Sequence, residues 1–134
     1  MPINIDSALG IHSEALRVRA RRAELIASNL ANADTPNYKA RDIDFKAALG
    51  QAQDQMLGMQ GMNRTHSNHI TSASSGGVGM EPAYRVPNQA SLDGNTVDVH
   101  VEQAEFSENS IQYQASLRFL GDKIKAIRGA IRGE

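Results

Sequence analysis

The 134-residue chain has the length of one domain, and 14 basic residues nearly balance 15 acidic ones, so its net charge of −1 creates no general attraction to nucleic acid or anionic membranes. The absence of cysteine excludes disulfides, thiolate nucleophiles and sulfur-ligated metal sites. With three tyrosines, three phenylalanines and no tryptophan, the middle cannot build a large core, so the two ends must supply the hydrophobic contacts.

The N-terminal region, residues 1–34, is predicted to be a long helix from about Asp6 to Asn32 with two apolar sides. One stripe consists of Leu9, Leu16, Ala20, Ala23, Ala27 and Leu30. The other consists of Ala8, Ile11, Ala15, Val18 and Leu25. Two stripes indicate two neighbours, and we expect one to be the C-terminal helix and the other a different chain.

Four arginines lie within six residues of this helix: Arg17, Arg19, Arg21 and Arg22. A helical wheel spreads them around much of the circumference, whereas a nucleic-acid-binding helix gathers its basic residues on one face. We therefore expect ion pairs with packed neighbours and no nucleic-acid partner.

The helix is predicted to end because Pro36 disfavours the helical conformation of Thr35, and Asn37 suits a left-handed turn. Residues 35–49 are predicted to form this turn and an extended segment that packs back on the helices. Residues 50–95 are rich in Gly, Ser, Gln and Asn and are predicted to be a flexible linker, with a little helix allowed at residues 51–57 and short β segments at residues 69–71 and 84–86 at most.

The C-terminal region, residues 96–134, is predicted to be a second long helix with Asn95 as its N-cap, although the alternation of Val97, Val99 and Val101 also fits a strand. Its large apolar residues recur at steps of three and four, as in the seam of a coiled coil. This predicted seam consists of Phe106, Tyr113, Leu117, Leu120, Ile124, Ile127 and Ile131. A second stripe contains Ala104, Ile111, Ala115, Phe119, Ala126 and Ala130.

No group of residues has the pattern of a catalytic or cofactor site. His66 and His69 lack a third metal ligand at a recognisable spacing, and the glycines of residues 76–79 lack the lysine of a phosphate-binding loop. The acidic residues at the start of the C-terminal helix complement the helix dipole. We expect no enzyme, cofactor, metal or small-molecule substrate.

Three sequence blocks resemble bacterial flagellar rod and hook axial proteins, and the proximal-rod members in particular. They are residues 27–45, which read ASNLANADTPNYKARDIDF, residues 84–98 and residues 106–117. Asn37 stands where this family commonly has glycine, which keeps access to a left-handed turn. The short middle has no room for the larger outer domain of hook and distal-rod proteins.

The resemblance implies a mainly α fold, in which the terminal helices pair as a coiled-coil-like hairpin around an extended or irregular middle. It implies a structural subunit that polymerises as part of the drive shaft and export channel, with other proximal-rod proteins, the rod-to-ring adaptor and the inner-membrane ring protein as partners. It also implies passage through the type III export apparatus to the periplasm. The first ten residues show no signal-peptide pattern, and no stretch is apolar enough to span a membrane.

The subunit interface is predicted at the turn and along the seam. Its residues are Asn29, Asn32, Thr35, Pro36, Tyr38, Tyr113, Leu117, Leu120, Ile124 and Ile127. The alternative is a soluble coiled-coil adaptor or export-chaperone-like module, which the residues from Asn29 to Tyr38 argue against.

Overall fold

A computed structural model describes residues 9–57, 81–87 and 91–133 of the chain. In chain order the elements are helix α1 (Ile11–Ala31), strand β1 (Arg41–Asp42), helix α2 (Phe45–Leu57), strand β2 (Ala83–Tyr84) and helix α3 (Val99–Arg132). The predicted fold class, mainly α with long paired terminal helices and little β structure, is confirmed. Within the described ranges no helix is long and apolar enough to cross a membrane.

Helix α1 starts at Ile11 because Gly10 has a φ of 60°, which is not helical. The predicted start at Asp6 lies outside the described residues. At the other end, the N–H of Asn32 donates to the carbonyl oxygens of Ser28 (3.2 Å) and Asn29 (3.1 Å), and the chain then turns. Asn37 has a φ of 62°, so the predicted left-handed residue after Pro36 is confirmed.

Helices α1 and α3 run antiparallel. Asn29 near the end of α1 meets Glu102 near the start of α3, and Arg19 further back meets Ser116 further on. His12, in the first turn of α1, has its ring 6.5 Å from that of Phe119. The pairing predicted for the two ends of the chain therefore forms within one molecule.

Helix α2 corrects the prediction that the chain stays extended to Leu49. Asp44 caps the new helix, because its Oδ1 accepts a hydrogen bond from the N–H of Ala47 (3.0 Å). Most of the following residues, such as alanine, lysine and glutamine, are good helix formers. The predicted boundary between residues 49 and 50 consequently falls inside a helix, which continues through the first eight residues of the predicted linker and includes residues 51–57, where a little helix was allowed.

The apolar core lies where α2 and the segment before it cover one side of α1. Val18, Ile43 and Ala48 are its buried members, and Leu25 and Phe45 pack against them. The Arg19 guanidinium lies 3.9 Å from the centre of the Phe45 ring. This core is small and includes no residue of α3.

The two short strands tie the middle of the chain to its beginning. They pair antiparallel, with Arg41 opposite Tyr84 and Asp42 opposite Ala83. The β segment predicted at residues 84–86 thus occurs one residue earlier and is shorter, while the one at residues 69–71 lies outside the described residues. The N–H of Arg85 continues the ladder by donating to Ala40 O (2.9 Å).

Helix α3 is capped by Asp98, which corrects the prediction that Asn95 is the N-cap. The Asp98 Oδ1 accepts from the N–H groups of His100 (3.0 Å) and Val101 (3.3 Å). Residue 99 begins the helix, so the alternating valines do not form a strand. Asn95 instead secures the turn after α1, where its buried Nδ2 lies 2.6 to 3.0 Å from the carbonyl oxygens of Asn32, Ala33 and Thr35.

Candidate assembly interface

The face that α3 turns toward α1 is polar. Its buried residues are Glu102, Asn109 and Ser116, which are spaced by seven and therefore share one side of the helix. Asn109 Nδ2 donates to the carbonyl oxygen of Arg19 (3.0 Å), and Arg19 Nε donates to Ser116 Oγ (3.2 Å). Such contacts depend on direction as well as distance, so they fix the register of the two helices.

Five charged residues form an ion cluster between the helices and the strands: Arg22, Asp42, Arg85, Glu102 and Glu105. Arg22 binds both oxygens of Asp42 (2.9 and 3.0 Å) and one of Glu105 (2.5 Å). Arg85 donates to Asp42 (2.7 Å) and to Glu102 (2.6 Å). Because each pair joins different elements, the cluster holds α1, β1, α3 and the residue after β2 together.

Burial and pairing shift the pKa values in this cluster in opposite directions. Glu102 is only 1% exposed, and this burial raises its pKa above the usual value of a glutamate despite the hydrogen bond from Asn29. Burial also acts to raise the pKa of Asp42, but the hydrogen bonds from Arg22 and then Arg85 outweigh it, so that pKa is lowered. The hydrogen bond to Asp42 raises the pKa of Arg22 in turn.

Asn29 connects the ion cluster to the turn. Its Nδ2 donates to Arg41 O (2.8 Å) and to Glu102 Oε2 (3.2 Å), and its Oδ1 accepts from the N–H of Arg41 (3.1 Å). The Tyr38 hydroxyl donates to the same oxygen at 3.4 Å. Asn29 is fully buried, so its side chain acts within the chain and holds the turn in place.

The other residues predicted for the turn lie nearer to solvent. Asn32 is half-buried and donates to Ser28 O (2.8 Å), while Thr35 and Pro36 are exposed. Thr35 Oγ1 donates to Asn32 Oδ1 at 3.2 Å. The structure therefore brings the five turn residues together, with Asn29 inside and Thr35 and Pro36 on the surface.

The predicted seam of α3 is only partly covered by α1. Phe106 and Leu117 are each 46% exposed, and Ile124 and Ile131 are exposed as well, whereas Tyr113, Leu120 and Ile127 are half-buried. The α3 residues that are fully buried are the polar ones. The large apolar side chains that the sequence assigns to a coiled coil are left available to something outside this helix pair.

A groove of about 400 Å³ runs between the two helices on this side. Ala20 and Ala23 of α1 form one wall. The other wall, on α3, consists of Asn109, Ser110, Tyr113 and Gln114. The first apolar stripe of α1 and the seam of α3 thus border one surface, which we call the open side, while the core and α2 lie on the other side of α1.

The four arginines of α1 all make polar contacts within the chain. Arg17 pairs with Glu14 (2.9 Å) and Arg21 with Glu24 (2.6 Å), while Arg22 belongs to the ion cluster. The predicted ion pairing with packed neighbours is therefore confirmed for Arg22, whereas Arg17 and Arg21 pair within α1 and Arg19 donates to the uncharged Ser116 and Gln112.

Among the residues that the structure describes, no three histidine, aspartate or glutamate side chains are placed to hold a metal. His66 and His69 lie outside those ranges, as do the glycines of residues 76–79.

Sequence reasoning missed the residues that make the intrachain contact. Glu102, Asn109 and Ser116 were invisible to a search for apolar periodicity, although their spacing by seven was a usable signal. No sequence signal identified the roles of Arg85 and Asn95, because the residues that they contact lie far away in the sequence.

Comparison with known proteins agrees with this architecture. A family of flagella basal body rod proteins matches residues 9–39, which cover α1 and the turn. The flagellar basal body rod protein FlgB of Aeromonas hydrophila is 48% identical over 135 residues, which cover 100% of this chain and 99% of that protein. FlgB of Salmonella typhimurium is 42% identical, with 96% of each chain covered, and FlgB of Escherichia coli is 41% identical, with 96% of this chain and 95% of that protein covered.

These similarities extend over nearly the whole chain, including both long helices, the turn and the middle. They describe structural proteins of the flagellum, so the expectation of a non-enzymatic protein is confirmed. An isolated adaptor or chaperone module is not favoured. The chain belongs to the FlgB family of flagellar basal body rod proteins and is a structural subunit of the rod.

Proposed function

We propose that this rod subunit polymerises through its paired terminal helices, with the open side of the pair as the main interface between subunits. One observation carries the proposal: α3 buries Glu102, Asn109 and Ser116 against α1 and leaves Phe106 and Leu117 exposed. A helix that packed only within its own chain would bury the apolar residues and expose the polar ones.

The arrangement suits a subunit whose exposed apolar surface is buried by neighbouring subunits. An extended apolar face on a helix pair marks a surface that another protein covers, and axial helix bundles bury such faces between chains. The polar contact inside the chain sets the register of the two helices before assembly. Burial of the open side between subunits then supplies the hydrophobic stabilisation that the small core lacks.

The proposed interface has two parts. The α3 part contains Tyr113, Leu117, Leu120, Ile124 and Ile127. The turn part contains Asn32, Thr35, Pro36 and Tyr38, with Asn29 holding the turn from inside.

The neighbours and location follow from the family resemblance and form part of the same proposal. We place the subunit in the proximal rod, within the periplasmic space, next to other proximal-rod proteins, the rod-to-ring adaptor and the inner-membrane ring protein. It would reach this position through the flagellar type III export apparatus without cleavage of a signal peptide. Its stacked helices would surround the export channel and transmit torque from the motor to the hook.

The test is the substitution Leu117→Asp, compared with Ser107→Asp. Both add one negative charge to an exposed position of α3, but only Leu117 belongs to the seam. Each variant replaces the chromosomal gene in the source bacterium. Motility, the amount of this chain in purified basal bodies and the circular dichroism of the free protein are measured.

We expect Leu117→Asp to abolish incorporation and motility, because burying its charge in the interface is costly. Ser107→Asp should behave as wild type, and both free proteins should keep their helix content. Normal incorporation of the Leu117→Asp variant would refute the proposed interface.

A further inference from the structure

Helix α3 extends past its partner in the described part of the chain. The His12 ring lies 6.5 Å from that of Phe119, so the two helices are level at this point. The described residues begin at Leu9, three positions before His12, whereas α3 continues for thirteen positions after Phe119, to Arg132. At 1.5 Å per residue, α3 therefore extends about 15 Å beyond the described start of α1. We call this end of α3, residues 123–132, the overhang.

Burial along one side of α3 marks where the cover by α1 ends. Glu102, Asn109 and Ser116 are buried at intervals of seven, on the side of the helix that faces α1. The next position of the same row is Lys123, and it is exposed. The surface of the overhang is therefore available to something other than the described part of α1.

The overhang combines an apolar stripe with basic flanks. Its isoleucines continue the seam at steps of three and four, with Ile124 48% exposed, Ile127 half-buried and Ile131 79% exposed. In the heptad that these positions define, Lys123 and Arg128 lie directly beside the seam, one on each side. Both are exposed, and the sequence has no acidic residue from 123 to 132.

The helix dipole does not account for this charge. The dipole stabilises cations in the last turn of a helix, where Arg132 lies, but Lys123 and Arg128 precede that turn. After Glu108 the chain has two acidic residues and five basic ones, although its net charge is −1. The basic residues are Arg118, Lys123, Lys125, Arg128 and Arg132. Positive charge is thus concentrated at the end of α3 that α1 leaves uncovered.

We propose that the overhang binds a helix of a different protein, one whose own apolar stripe is flanked by aspartate or glutamate. This inference gives the partner chemistry for one end of the proposed interface and therefore rests on the proposed function. Residues beside a seam form ion pairs between helices and so determine which partner is accepted. With basic residues on both sides of its seam, the overhang accepts an acidic helix and repels a basic one.

A second copy of this chain does not supply such a helix. Two overhangs would bring Lys123 and Arg128 against the same basic residues, and like charges repel. Every acidic side chain on α1 and α3 already accepts a hydrogen bond within the chain. These residues are Glu14, Glu24, Glu102, Glu105, Glu108 and Asp122. A contact between copies would have to break these bonds, whereas a different protein can bring its own carboxylates.

The stripe is also too narrow for a membrane surface. Helices that lie on membranes have a broad apolar face that commonly includes aromatic residues. The overhang has large apolar residues at only two positions in seven, and all of them are isoleucine. This narrow pattern is typical of a seam between two helices.

The test uses the amine of Lys123, which a carbodiimide couples to a carboxylate in direct contact with it. Purified basal bodies from the source bacterium are treated with a water-soluble carbodiimide, and linked peptides are identified by mass spectrometry. We expect a link from Lys123 to an aspartate or glutamate of a different protein, within a segment whose apolar residues recur at steps of three and four. The matched control, Lys123→Arg, keeps the charge but lacks the amine, so it should be incorporated normally and lose the link.

Charge reversal gives a second, independent reading. Lys123→Glu/Arg128→Glu should lower incorporation into basal bodies at least about tenfold, because acidic residues would then face acidic ones. Arg118→Glu/Lys125→Glu makes the same change of charge at exposed positions farther round the helix, and it should be incorporated as wild type. Circular dichroism of the free proteins should show the same helix content for both variants.

Four results would overturn the inference. They are a link from Lys123 to another copy of this chain or to residues 1–8 of its own chain, the absence of any link from Lys123, normal incorporation of Lys123→Glu/Arg128→Glu, and binding of the free wild-type protein to phosphatidylglycerol vesicles that this charge reversal abolishes. In each case the proposed function stands. If wild-type chain is itself missing from purified basal bodies, the proposed function fails, and the inference fails with it.

Discussion

The two faces of α3 differ in a way that reverses the usual rule for helices. The face against α1 is buried and carries Glu102, Asn109 and Ser116, whereas the face on the open side is exposed and carries Phe106 and Leu117. In most single-chain folds the apolar face of a helix is buried and its polar face is exposed to solvent. The difference teaches that the register of the helices is set by polar contacts within the chain, and it supports the proposal that the exposed apolar face serves contacts between chains.

This division has a structural consequence for the middle of the chain. The ion cluster and Asn29 attach β1, β2 and the turn to the side of the helix pair that carries the core. None of these elements lines the groove on the open side. The described part of the intervening segment therefore organises the subunit without covering the proposed assembly surface.

The largest expected effect comes from removing one residue from each face. Glu102→Ala leaves Arg85 and Asn29 without their buried acceptor and should lower the free energy of unfolding by about 3 kcal/mol. Leu117→Ala, the matched change on the exposed face, should lower it by about 0.5 kcal/mol or less. Urea denaturation of the free proteins, followed by circular dichroism, measures both. Equal losses would mean that the two faces do not differ as described.

A smaller effect distinguishes two adjacent arginines. Arg22 is 14% exposed and pairs with Asp42 and Glu105, whereas Arg21 is 50% exposed and pairs with Glu24 across one helix turn. Arg22→Met should cost about 2 kcal/mol, because two carboxylates lose a partner in a partly buried site. Arg21→Met should cost about 0.5 kcal/mol or less, as exposed pairs do. A larger loss for Arg21→Met in the same denaturation experiment would contradict the role given to the ion cluster.

The smallest effect is a pH dependence with opposite signs at two carboxylates. Because the pKa of Glu102 is raised on folding, its contribution to stability is greatest below the unfolded pKa, about 4.3, and is lost as the pH rises through the folded value. The pKa of Asp42 is lowered, so its contribution is present above about 3.9 and is lost as the pH falls through the folded value.

Comparison with two isosteric variants isolates these contributions. As the pH falls from 7 toward about 4, wild type should gain stability relative to Glu102→Gln. On further acidification it should lose stability relative to Asp42→Asn. Urea midpoints measured at intervals of pH for the three proteins give both differences, and a trend of the opposite sign for either pair contradicts the assignment.

The sequence predicted the long helices and the turn because these depend on local signals. The apolar periodicity of α1 and α3, the restriction that Pro36 places on Thr35 and the suitability of Asn37 for a left-handed turn all act over a few residues. Only the second half of helix α2, residues 51–57, was allowed as helix, because the large apolar residues up to Leu49 were interpreted as an extended segment although Asp44 is a good N-cap.

The intrachain contact was not predictable by the same reasoning. Hydrophobic periodicity identifies the most apolar face of a helix, and here that face is only partly covered by α1, while polar residues beside it are the ones fully buried. The hydrogen bond between Asn29 and Glu102 joins residues 73 positions apart, and the bond from Arg19 to Ser116 joins residues 97 apart. No local signal reports such partners. The seam residues were correctly recognised as an apolar stripe, and their role between subunits is the proposal made above.

The central claim, that α3 keeps its apolar face for assembly, is tested most directly by the accessibility of one side chain in two states. Leu117→Cys provides the only thiol in the chain. Its reaction rate with a water-soluble maleimide is measured in the free protein and in purified basal bodies. The account predicts fast reaction in the free protein and strong protection in the rod. Protection already in the free protein, or equally fast reaction in both, would contradict it.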